Sequence, residues 1–132
     1  MTFLRPEFRT IQLPDGYRID VPFFKAPPNV AGRTKSAAEF HERLKDLMKC
    51  IVPGSPQIVL VDLCDCKQFD NASLGALVAI AHELRYINGI VVLDTIPAIV
   101  KQLICGARYQ NDFGFATNDR VTFVPPFWKN AA

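Results

Sequence analysis

Residues 58–77, IVLVDLCDCKQFDNASLGAL, constrain the chain more than any other stretch. An apolar run ends in acids and feeds directly into a segment whose apolar residues recur with helical spacing. A strand that leads into a helix this way delivers polar groups to backbone N–H groups that have no intrahelical partner. The helix dipole favours added negative charge at the same place, so the turn is a natural site of recognition or modification.

The remaining elements can be read around it. Residues 8–13 and 17–23 are β-prone runs on either side of Pro14-Asp15-Gly16, which predicts a hairpin. Pro22 predicts an edge position or an early end for the second run. Residues 25–32, with Pro27-Pro28 and Gly32, predict an extended loop. A first helix starts at Thr34 or Ser36 and runs to about Ile51, with Ala37, Phe40, Leu44, Leu47, Met48 and Ile51 on one face and Pro53-Gly54 as its stop.

The run at 58–63 suits a strand covered on both faces. A second helix spans about 73–87 and turns Leu74, Leu77, Val78, Ala81 and Leu84 inward. Asn88-Gly89 ends it, with Gly89 assigned the left-handed conformation. A short strand at 90–93 leads to a third helix with Pro97 in its first turn and Ile96, Ile99, Val100, Leu103 and Ile104 at helical spacing. A polar and aromatic segment precedes a last strand at 121–124. The expected fold is therefore α/β, a mixed sheet of about five strands built from an N-terminal hairpin and βαβ units. It is read as one domain over 1–132, with an atypical hairpin and loop at 1–33, a core at 34–124 and a tail at 125–132.

Composition excludes several function classes. The chain is 49% hydrophobic and 21% charged, which argues against disorder. A net charge of +2 with interspersed signs gives no footprint for nucleic acid or an anionic membrane. No apolar stretch approaches the roughly 20 residues of a spanning helix, and the N-terminus, broken by charge and proline, does not read as a secretory signal. Cys50, Cys64, Cys66 and Cys105 lack metal or redox spacing, so reduced cysteines and a cytoplasmic location are expected. Cys64 and Cys66 would point to opposite faces of an extended segment, and His41 and His82 each sit alone on a helix. No nucleophile elbow, phosphate loop, dinucleotide fingerprint or catalytic triad pattern is present, so neither a metal nor a cofactor is expected.

Over about 58–115 the chain resembles the STAS domain family of bacterial anti-sigma factor antagonists and sulfate-transporter tails. The resemblance rests on Val61-Asp62-Leu63, on the run from Asp70 to Leu77 eight residues later, and on Gly89, Pro97 and Phe113-Gly114-Phe115 downstream. It implies a non-enzymatic protein-interaction module in bacterial signal transduction. The partner-binding residues implied are Asp70, Asn71, Ala72, Ser73, Leu74 and Gly75. The family's usual phospho-acceptor serine falls on Ala72, which has no hydroxyl, so control by phosphorylation at that position is not expected. Ser73 is the candidate for a displaced acceptor. Asp62, inside an apolar strand, needs hydrogen bonds from the turn near Asp70 if it is buried, in a structural or site role.

Three functional readings follow. The first is docking to an anti-sigma factor of kinase-like fold or to a regulatory scaffold. The second is a soluble subunit of an ABC-type phospholipid transporter bound to its ATPase. The third is a small ligand-binding protein or enzyme using Asp62, Asp70 and Asn71. Homodimerisation through the first 30 residues is compatible with each, as is a protein-facing apolar patch; direct membrane insertion is not. Ten phenylalanines and Trp128 supply the aromatic surface such a patch would need.

Overall fold

The computed structural model describes residues 7–49 and 57–128. The hairpin forms as expected, from β1 (Glu7–Gln12) and β2 (Arg18–Lys25), paired antiparallel. Then come α1 (Lys35–Met48), β3 (Ile58–Asp62), α2 (Asn71–Arg85), β4 (Ile90–Asp94), α3 (Ala98–Gly106), β5 (Gly114–Thr117) and β6 (Arg120–Phe123). The expected end of the first helix at Ile51 and its stop at Pro53-Gly54 lie outside the described residues, as does Cys50.

Strand order in space follows strand order in sequence. β2, β3, β4 and β5 are mutually parallel, and antiparallel β1 and β6 flank them. Right-handed crossovers that always advance in one direction put every helix on the same side of the sheet. The sheet curls away from the helices until Gln12 meets Arg120 in a single parallel pair, and the Gln12 N–H donates to the Asp119 carbonyl at 2.8 Å. The strands thus close into a small barrel.

The barrel explains why β3 and β4 are apolar at every position but the last. Val59, Val61, Leu63, Val91 and Leu93 face outward and pack with Phe40, Leu44, Leu77, Leu84, Val100 and Ile104 of the helices. Ile58, Leu60, Ile90 and Val92 face inward and pack with Ile11, Val21, Ala116, Val121 and Trp128. A strand buried on both faces has no solvent side to mark with polar residues. Trp128 folds back over the lower end of the barrel, 8% exposed, and its indole N–H donates to the Asn88 carbonyl at 2.9 Å.

Several expectations are corrected. There are six strands, because the polar and aromatic segment before 121 contains β5. Its turn to β6 has Asn118 and Asp119 both at positive φ, the geometry of a two-residue hairpin loop. Pro22 does not confine β2 to an edge: β2 lies between β1 and β3, and pairing with β3 begins only at Phe23, one residue past the missing N–H. Thr34 caps α1, with its hydroxyl accepting from the Ala37 N–H at 3.1 Å, and Pro97 is the N-cap of α3 rather than part of its first turn. Asn88, not Gly89, takes the left-handed conformation, φ 59°. Gly89 is required by space instead, since a Cβ there would lie 2.7 Å from both Cβ and the carbonyl oxygen of Gln57. Ile99 turns out to solvent at 43% exposure, leaving Val100 and Ile104 as the buried residues of α3.

Candidate functional site

The strand-to-helix turn is held by two loops zipped together. The Pro28 carbonyl accepts from the N–H groups of Lys67 and Gln68, the Val30 N–H donates to the Gln68 carbonyl, and Asn29 bridges Gln68. Asp70 ends the turn as the N-cap of α2. One carboxylate oxygen accepts from the Ser73 N–H at 2.9 Å, and the other accepts from the Gly32 N–H at 2.8 Å. These two donors, Gly32 first, hold Asp70 below the ordinary carboxylate range. The single side chain therefore starts the helix and anchors the 25–32 loop to it.

Of the residues assigned to the docking surface, the fold presents some and hides others. Asn71, Ala72 and Gly75 are exposed, and Asp70 is half-buried. A Cβ on Gly75 would meet nothing within 4 Å, so this face of α2 is open. Leu74 is buried at 3% exposure, packed in the outer core, and is not available to a partner. Ser73 is wholly buried and its hydroxyl donates to the Val30 carbonyl. The oxygen expected as a displaced phospho-acceptor thus faces into the protein, with its proton already engaged. Ala79 and His82 extend the exposed face along the helix.

Asp62 does not take its hydrogen bonds from the turn near Asp70. Its side chain accepts from the Cys64 N–H at 2.9 Å and from Arg9 Nη1 at 3.0 Å. The same Nη1 reaches Asp94 at 3.3 Å and Asp119 at 3.2 Å, and the guanidinium lies 4.1 Å from the centroid of the Phe23 ring. Arg9 of β1 thereby ties together the last residues of β3 and β4 and the β5–β6 turn at the upper mouth of the barrel. Burial raises Asp62, but the Cys64 N–H and Arg9 outweigh it and leave the group below its usual range. Asp94 goes the other way. Burial pushes it up, aided by the charges of Asp62 and Asp119, and the Thr95 hydroxyl offsets this only in part.

Sequence reading missed this cluster, although a signal was present. Val59-Leu60-Val61-Asp62 and Val91-Val92-Leu93-Asp94 are parallel strands of one pattern, and register sets Asp62 beside Asp94. Asp62 and Asp70 are committed to different partners, so the acids expected to share a cleft with Asn71 are not brought together. Cys64 is exposed and Cys66 buried, in a turn closed by the Cys66 N–H on the Leu63 carbonyl at 3.0 Å rather than in the extended backbone expected. Among the described residues no group of His, Cys, Asp or Glu side chains is arranged to hold a metal ion, and no helix is long and apolar enough to cross a membrane.

The architecture is a STAS-like fold. One similar solved structure is an anti-sigma-factor antagonist (STAS) domain protein from Planctomyces limnophilus, at 13% identity and a TM-score of 0.62, over 84% of this chain and 90% of that one. No family profile and no curated protein matches the sequence.

Proposed function

We propose that this chain is a non-enzymatic interaction module of the anti-sigma-factor-antagonist kind, acting in the cytoplasm through the N-terminal half of α2. The observation that carries the reading is the division of labour in the first turns of that helix. Asp70 and Ser73 are consumed by the fold, while Asn71, Ala72 and Gly75 stand outward as a low, open surface. Small side chains let a partner's backbone approach closely and leave little side-chain entropy to lose on binding. With alanine at the usual acceptor position and the neighbouring hydroxyl buried, docking is constitutive, or is controlled by something other than phosphate on this turn.

Affinity purification from the native cell with mass spectrometry tests this. The expected result is a stoichiometric protein partner, an anti-sigma factor of kinase-like fold or a regulatory scaffold, with no phosphate on Ser73. Recovery of a transporter ATPase would move the module to the transport system with the same docking face. Gly75→Asp adds a charge where there is room for it, so it should weaken the complex at least tenfold with the fold intact. Undiminished binding by that variant, or no stoichiometric partner at all, would remove the proposal.

A further inference from the structure

Among the described residues, the helices leave the outward side of the β5–β6 hairpin uncovered. Advancing crossovers lay α1, α2 and α3 over β2 to β4, but β5 turns directly into β6. The outer face of this last hairpin carries Phe115 and Phe123, half-buried, with ring centroids 5.8 Å apart. Together with Ile96 and Ile104 they line a groove of about 420 Å³ between α3 and the hairpin. That volume lies within the range of small-molecule sites, toward its lower end.

The groove has a charge of one sign. Lys101 lines it, α3 carries no other charged residue, and no carboxylate is among the lining residues. Lys101 is exposed, and among the described residues its ammonium has neither an ion pair nor a hydrogen-bond partner. Thr117 and Thr122 add hydroxyls at the strand side. An apolar trough with a single unpaired cation favours a ligand that has an alkyl body and one anionic end. An uncharged ligand would leave the ammonium unused, and a polyanion would find no second cation.

We propose that the α3–hairpin groove binds a single-chain aliphatic carboxylate, its chain against Phe115 and Phe123 and its head on Lys101. This site is separate from the α2 docking face and stands whether or not that face binds a protein.

The probe is decanoate below its micellar concentration, with decanol as the uncharged control, read by amide chemical shifts of the isotopically labelled full chain. Saturable decanoate shifts are expected at Lys101, Cys105, Thr117 and Thr122, and decanol should bind at least fivefold more weakly. Lys101→Met should bring decanoate down to the decanol affinity and leave decanol unchanged. Thr122→Phe, at an exposed strand position, should fill the groove and abolish both. Equal binding of decanoate and decanol would overturn the proposal. So would an unchanged decanoate affinity in Lys101→Met, or shifts that map to the α2 face or spread without saturation.

Discussion

Replacing Arg9 by methionine removes one positive charge and leaves three carboxylates facing one another at the barrel mouth. Asp62 and Asp94 have side chains 8% and 3% exposed, Asp119 is 45% exposed, and Arg9 itself is 23% exposed. Stripping the partner from a buried ion pair costs about 3–5 kcal/mol. Partial exposure of Arg9 puts the expected loss at the lower end, about 3 kcal/mol. The Asp119 arm, near solvent, contributes at most about 1 kcal/mol of that. For a chain of this length each kcal/mol is worth about 3–4 °C in Tm, so the variant should melt about 10 °C lower at neutral pH.

The loss should depend on pH in a defined direction. Asp62 is depressed in the fold, so its contribution is present above its unfolded value, near 3.8, and fades as pH falls through the folded value. The deficit of Arg9→Met should therefore shrink in acid. Thermal melts of both proteins between pH 3 and 7, with a double-mutant cycle to Asp62→Asn, check this. A Tm change below about 2 °C, or a deficit that does not vary with pH, would refute the assignment of the cluster as an electrostatic tie.

Asp94→Asn should stabilise at pH 7 and be neutral near pH 3. Asp94 is raised in the fold, so the protein is favoured while the group is protonated and loses that advantage as pH rises through the folded value; titrated melts read the crossover. Asp70→Ala should cost about 1–2 kcal/mol, with faster amide exchange at Gly32 and Ser73, since both N–H groups lose their acceptor. Gly75→Ala should add about 1 kcal/mol by helix propensity alone, because the added methyl meets nothing. Gly89→Ala, facing backbone at 2.7 Å, should instead lower the urea midpoint by an amount worth at least about 1 kcal/mol.

What was legible in the sequence was whatever is local. Helical spacing located α1 and α2, Thr34 announced the start of α1, α2 begins two residues before the expected 73, and the all-apolar run of β3 signalled burial on two faces. What escaped depends on closure. β5 spans only four residues, the first a glycine, and its hairpin turn, Asn118-Asp119, lacks the glycine that usually marks one. The role of Pro22 could not be read without knowing where the next strand begins to pair. Arg9 meets Asp62, Asp94 and Asp119 only because the sheet curls, and no spacing rule connects residues 53 to 110 positions apart. The turn at 70–73 leads into a helix, as its pattern indicated. The inward rotation of Ser73 followed from a hydrogen bond to a distant loop, which periodicity does not encode.

The fold gives the molecule an optical reporter of its own. Trp128 is the single tryptophan, and its indole rests in the inner core, away from the helices. Its fluorescence therefore follows the inside of the barrel, while far-ultraviolet dichroism is dominated by the helical layer outside. If the two signals change together on heating or in urea, the inner and outer cores unfold as one cooperative unit. If emission shifts first, the segment that carries Trp128 leaves the inner core before the helical layer melts.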